Sequence, residues 1–293
     1  MQLHTGSGRF DLAIPAGHAV SRIPAWYHRP ANITGDSPVV IVLHGTSRAA
    51  QASRDKWASH ADEHGFFIVA PDFGVEYFSD PCYAYANLWS AEDPFEPQDW
   101  SASYGFILDR LFDVVNLALG RAAQQFILYG HSAGAAFAHR YLTFSPEDRV
   151  SQAIFANAGW YTLFDRDRPL PFGLKGSGIS EAQIRRALQK PVTILIGDRD
   201  RHGPYPPWWS DEHLAQGPHR FARSQTYFQS AQRMAAELGL KTAWRWQVVP
   251  DVAHQNARMI APAVQVMTLP QPPAGHNLPV SGMGSEGIAD NLS

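Results

Sequence analysis

Phe126-Ile127-Leu128-Tyr129-Gly130-His131-Ser132-Ala133-Gly134 is the stretch on which the reading of this chain turns. Four residues of strand character run into a glycine-x-serine-x-glycine pentapeptide. Ala135 to Leu142 then reads as a helix. Strand, sharp turn and helix together thrust the serine hydroxyl out of the backbone under strain. The glycines on either side have a steric reason, because strand and helix pass close together there. The arrangement points to Ser132 as a nucleophile; without a partner base it is only an idle serine in a glycine-rich turn.

The same alternation extends in both directions. Val39–Leu43, Phe66–Ala70, Ala153–Ala156 and Pro191–Ile196 are apolar runs of strand length, and Trp244–Val249 reads as a final strand. Residues 51–64, 103–119, 221–238 and 256–267 carry apolar residues at helical spacing, and Ser180-Glu181 marks another helix start. Short buried strands alternating with helices predict an α/β fold, a doubly wound and mostly parallel sheet covered on both faces. Phe10–Tyr27 is expected to add one or two antiparallel edge strands. Pro71 is expected to stop the second of the buried strands. Two stretches break the rhythm: Tyr77–Trp100, with Tyr83, Tyr85, Trp89, Phe95 and Trp100, and Arg201–Gly217, with Tyr205, Trp208 and Trp209. Both follow parallel strands at the edge where such sheets bind ligands. Their aromatic residues either wall a binding site or pack the loops onto the sheet. Residues 1–268 read as one domain, and 269–293 as a Pro/Gly-rich extended or disordered tail.

Composition narrows the function. The chain has 293 residues, 45% hydrophobic and 17% charged, with a formal net charge of -3. That balance gives no electrostatic case for nucleic acid or an anionic membrane as partner. Cys82 is the single cysteine, so no intrachain disulfide can form. No basic-then-apolar leader and no run of membrane-spanning length is visible, which makes the cytoplasm the default location, though a trimmed secreted form would read the same.

A serine hydroxyl needs a base, and the base needs an orienting acid. Gly197-Asp198-Arg199-Asp200 follows a strand and offers the acid. Asp200 is favoured over Asp198, which is expected to be a turn residue paired with Arg199 or Arg201. His254 follows the last strand and precedes a helix, the setting for the base. Its rivals have weaker settings: His202 is too near the acid, His213 lies in an aromatic loop, His219 precedes a helix, and His276 is in the tail. The oxyanion donors are expected to be the Ala133 N–H, at a helix N-terminus, and the Thr46 N–H, in the loop His44-Gly45-Thr46-Ser47, with His44 bracing that loop. Trp160, Tyr161, Trp208 and Trp209 are candidates to line the substrate pocket. No metal cluster supports the alternating Asp198, Asp200 and His202 as ligands, and no cofactor is called for.

Together Leu43-His44-Gly45, Gly130-His131-Ser132-Ala133-Gly134, Gly197-Asp198-Arg199-Asp200 and His254 resemble the α/β-hydrolase superfamily of serine esterases over residues 38–267. Within it, Asn157–Thr162 and Val249–His254 look like bacterial relatives of poly(3-hydroxybutyrate) depolymerases and feruloyl esterases. In those relatives the stretch before the histidine is usually glycine-rich; here Asp251 and Ala253 stand in it. The resemblance implies hydrolysis of a small or oligomeric carboxylic ester through an acyl-enzyme. An amidase or peptidase using the same three residues is one alternative, and a non-catalytic binding protein of the same fold is another.

Overall fold

The computed structural model describes residues 1–15, 18, 20–90, 95–201 and 210–268. Eight strands form one sheet: β1 (Gly6–Ala13), β2 (Arg22–Arg29), β3 (Val39–Leu43), β4 (Phe67–Pro71), β5 (Phe126–His131), β6 (Val150–Ala156), β7 (Val192–Gly197) and β8 (Trp244–Val249). Their order across the sheet is β1-β2-β4-β3-β5-β6-β7-β8. The pairs from β4 through β8 are parallel, while β1 on β2 and β2 on β4 are antiparallel. Eight α-helices occur among the described residues: α1 (Ala50–His64), α2 (Asp80–Ala84), α3 (Tyr104–Ala118), α4 (Ala133–Phe144), α5 (Glu181–Gln189), α6 (Asp211–Ala215), α7 (Arg220–Glu237) and α8 (Asn256–Thr268).

Strand periodicity sorts the core into two layers. Val39, Ile41, Leu43 and Leu128 face the cluster that holds Leu108 and Leu111 of α3, Phe137 and Tyr141 of α4, Leu188 of α5 and Tyr227 of α7. Val40, Val42, Ile127 and Tyr129 face the other cluster, with Trp57 and Ala61 of α1 and Met259, Ile260 and Val264 of α8. Both faces of the central strands are therefore covered, which is why those strands read as continuous apolar runs. Local signals set several boundaries. Ser103 caps α3 by accepting the Phe106 N–H at 3.2 Å, and Ser180 with Gln183 forms a capping box on α5.

The structure extends several expected elements. Of the one or two expected edge strands, two form, and β1 begins earlier, at Gly6, where Gly6-Ser7-Gly8 has little apolar signal but continues the ladder to Arg29. β6 begins at Val150, its start disguised by Ser151 and Gln152; the Gln152 amide donates to the Val266 carbonyl at 3.1 Å. Pro71 is the last residue of β4 rather than a stop before it. Neither α2 nor α6 was expected, because both lie inside the aromatic stretches. The tail from 269 onward falls outside the described residues.

Backbone packs closely around the serine turn. A Cβ added at Gly130 would sit 2.2 Å from the Gly134 carbonyl oxygen, and one at Gly134 would sit 2.3 Å from that of Leu43. Backbone, not a flexible side chain, blocks both. Gly130→Ala is expected to lower unfolding stability by about 3 kcal/mol, since overpacking against backbone cannot relax cheaply. A urea midpoint equal to that of the parent would contradict it.

Candidate active site

Each residue of the site stands at the carboxyl edge of a parallel strand. Ser132 follows β5 with φ 57° and ψ −118°, a conformation rare for a residue with a side chain. Such strain costs about 1–3 kcal/mol and persists only where the surroundings enforce it. Here the Ser132 N–H donates to the Ala156 carbonyl at 2.9 Å, and the two glycine contacts clamp the turn from both sides. The side chain is half-buried.

The three candidate residues touch in a row. His254 Nε2 lies 2.9 Å from Ser132 Oγ, and His254 Nδ1 lies 2.8 Å from Asp200 Oδ2. The Asp200 side chain is 0% exposed and that of His254 is 31% exposed, so the acid is shielded while the imidazole stays reachable. Asp198 does something else. Its Oδ1 accepts the Val252 N–H at 3.3 Å and so ties the end of β7 to the loop before His254. The expected pairing with an arginine forms through the backbone: Arg201 Nε donates to the Asp198 carbonyl at 2.8 Å, while Arg199 pairs with Asp251. Asp251 takes a left-handed φ of 57°, which explains how this loop manages without a glycine there. Among the rival histidines, His219 caps α7 and the buried His213 caps α6. His202 and His276 fall outside the described residues.

Ala133 is the first residue of α4, so its N–H has no acceptor within the helix. Thr46 is exposed, in the turn that the Arg48 N–H closes onto the Gly45 carbonyl at 3.1 Å. Gly45 lies against the nucleophile: a Cβ there would be 3.4 Å from Ser132 Cβ. His44 braces this loop from within. Its Nδ1 lies 3.1 Å from the Gly45 carbonyl, its Nε2 accepts the Phe73 N–H at 3.2 Å, and its own carbonyl accepts the Tyr83 hydroxyl at 2.8 Å.

The candidate pocket residues are placed less simply. Trp160 is 3% exposed, with its ring under the Arg140 guanidinium at 4.2 Å. Tyr161 is fully buried and stacks on Tyr227 at 4.3 Å. Core packing accounts for both rings, so it lends no support to a pocket-lining role. Trp208 and Trp209 lie outside the described residues. In the first aromatic stretch, Tyr83 and Trp89 are buried against Phe137 and Phe144 of α4, and Trp100 donates to Asp109 of α3 at 2.9 Å, so these rings anchor the loop to the two helices.

Three further residues at the site were given no role from the sequence. Arg220, at the start of α7, places Nη1 3.4 Å from Asp200 Oδ1, the carboxylate oxygen that His254 does not use. Asn157, with φ 51°, accepts the Gly197 N–H at 3.0 Å and donates to the Ala253 carbonyl at 3.3 Å, joining the ends of β6 and β7 to the histidine loop. His131 packs its ring 4.8 Å from that of His254.

Buried histidines make the fold sensitive to acid. Burial pushes His44 down to about 4, and it holds His131 and His139 well below the ordinary histidine value. The unfolded chain therefore binds protons that the folded chain refuses. Stability is full above about pH 6.5 and falls as the pH drops toward 4, with His44 alone contributing about 3 kcal/mol over that range. Asp72 and Asp109, raised by burial, act in the opposite sense just above the usual carboxylate range. Urea midpoints at pH 7.0, 5.5 and 4.5 should fall steadily; a flat series would contradict the assignment.

A parallel sheet with serine, acid and histidine, in that chain order, beyond the carboxyl ends of β5, β7 and β8 defines an α/β hydrolase. No known family model matches the sequence, and no curated protein matches it. Solved structures do. Poly(aspartic acid) hydrolase-1 from Sphingomonas sp. KT-1 is 31% identical, with a TM-score of 0.82 over 90% of this chain and 98% of its own. The poly(3-hydroxybutyrate) depolymerase LpqC from Bordetella parapertussis is 33% identical, with a TM-score of 0.82 over 90% of this chain and 91% of its own. The siderophore hydrolase EstA from Aspergillus nidulans, 14% identical with a TM-score of 0.53 over 90% of this chain and 94% of its own, shares the fold. The chain belongs to the α/β-hydrolase family and resembles its poly(3-hydroxybutyrate) depolymerases. No helix among the described residues is long and apolar enough to cross a membrane.

Proposed function

We propose that this protein is a serine hydrolase that cleaves carboxylic esters through an acyl-enzyme. The observation that carries the reading is the unbroken row of contacts from Ser132 Oγ through His254 to Asp200, at 2.9 and 2.8 Å. His254 Nε2 takes the hydroxyl proton as the oxygen attacks the ester carbonyl. The Ala133 and Thr46 N–H groups stabilise the oxyanion, with the N-terminus of α4 adding a favourable field. Asp200 fixes the imidazole with its proton on Nδ1 and balances the imidazolium that forms. His254 then protonates the departing alcohol. Water, activated by the same base, releases the acid and restores Ser132. The substrate is a small or oligomeric ester, in keeping with a relative named for poly(3-hydroxybutyrate).

An amide substrate is the second reading, because an equally similar structure is named for poly(aspartic acid), a polyamide. Purified protein assayed on p-nitrophenyl esters of graded chain length and on aminoacyl anilides separates the two. The ester reading expects kcat/KM for the best ester to exceed that for any anilide by about 100-fold or more, a difference of about 3 kcal/mol in the barrier. Anilide turnover equal to or above ester turnover would overturn it in favour of an amidase.

A further inference from the structure

The last turn of α1 holds a cluster that the hydrolytic site does not use. His60, Glu63 and His64 each offer a ligand atom, and these atoms all lie within 4.8 Å of one another. We propose that these three side chains form a binding site for a divalent transition-metal cation of the zinc, copper or nickel type.

Helical geometry brings the set together. Positions i, i+3 and i+4 share one helix face, which puts His60 beside both Glu63 and His64. Glu63 Oε2 already stands 3.8 Å from His64 Nε2. Bond lengths near 2.0–2.2 Å around a tetrahedral ion place its ligand atoms about 3.4 Å apart. The set therefore needs only small rotamer changes to close, and Glu63, whose side chain is 69% exposed, has room to make them. The His64 ring is steadied by stacking on Phe66, with centroids 5.6 Å apart and planes 27° from parallel.

Charge and donor type agree with a cation of this class. The cluster occupies the C-terminal turn of a helix of 15 residues, where the aligned peptide dipoles favour positive charge. Two imidazoles and one carboxylate suit zinc, copper or nickel; magnesium and calcium prefer all-oxygen shells. The position excludes a part in the hydrolytic steps. α1 leads into the amino end of β4, whereas Ser132, Asp200 and His254 stand at the carboxyl ends of their strands. A bound ion would tie the last turn of α1 together and stabilise the fold by mass action. This inference is independent of the proposed ester chemistry.

The test is isothermal titration calorimetry of the full chain with zinc chloride, then with magnesium chloride, beside thermal melts. Zinc should bind with a stoichiometry of one and raise Tm by about 3 °C or more when in excess, and magnesium should do neither. His60 is half-buried and His64 exposed; His60→Ala and His64→Ala should each remove the zinc isotherm and the rise in Tm while leaving the parent Tm within about 2 °C and p-nitrophenyl ester turnover in place. Absence of one-to-one zinc binding would overturn the proposal. So would zinc binding that survives in the His60→Ala/His64→Ala double variant, which would assign the ion to others of the 13 histidines.

Discussion

Ser132→Ala should lower kcat for a p-nitrophenyl ester by about 10⁴-fold or more, because no other group can form the acyl-enzyme. The fold should be unaffected. The hydroxyl bonds His254 at 2.9 Å, and the strained backbone is held by the Ser132 N–H on Ala156 and by the glycine contacts, none of which needs the side chain. Ser132→Gly should be equally inactive but more stable than Ser132→Ala by about 1 kcal/mol, since glycine relieves a backbone at φ 57° and ψ −118°. Activity in Ser132→Ala within tenfold of the parent would remove the serine from the mechanism. Equal stability of the two variants would instead remove the claim of strain.

Asp200→Asn should cost about 10³- to 10⁴-fold in kcat at neutral pH. The amide can donate to His254 Nδ1, which leaves the imidazole proton on Nε2, pointing at the hydroxyl it is meant to deprotonate. The second oxygen matters as well, because an asparagine NH2 turned toward Arg220 would set donor against donor across the 3.4 Å contact. Asp198→Asn is the matched control. Its side-chain oxygen can still accept the Val252 N–H, so kcat should stay within about threefold of the parent. Steady-state kinetics of both variants decide between the two acids, and the reverse ranking would contradict the assignment of Asp200.

The sheet and the three residues at its edge were legible because their signals are local. Val39–Leu43 and Phe126–Tyr129 are apolar throughout, and a strand buried on both faces admits little else, while Trp244–Val249 shows itself by its aromatic and β-branched residues although Arg245 and Gln247 interrupt it. Ser132, Asp200 and His254 each follow such a strand by a few residues, so reading the strands located the site. What stayed hidden depends on distant parts of the chain. Arg220 lies 20 residues beyond Asp200 on the next long helix, and nothing in its neighbours marks it as the group facing that carboxylate. Asn157 was visible in a distinctive hexapeptide, yet its bonds to Gly197 and Ala253 exist only once three strand ends meet. Arg140 is fully buried in α4, caged by Tyr85, Trp89 and Trp160, and burial pushes it down to about 9. A charged residue on a core helix face runs against apolar patterning, so sequence reading passes over it. The aromatic stretch 77–100 left wall and anchor undecided, and its described rings settle mostly as anchors, because a tryptophan or tyrosine can bury its body while its polar tip finds a partner.

The central claim is that the Ser132 hydroxyl is activated by the imidazole of His254. Reaction with a fluorophosphonate, followed by peptide mass spectrometry, tests it most directly. One adduct per chain is expected on the peptide that contains Ser132, absent in Ser132→Ala and formed at least about 100-fold more slowly in His254→Ala. An unlabelled parent protein, or an adduct on any other residue, would contradict it.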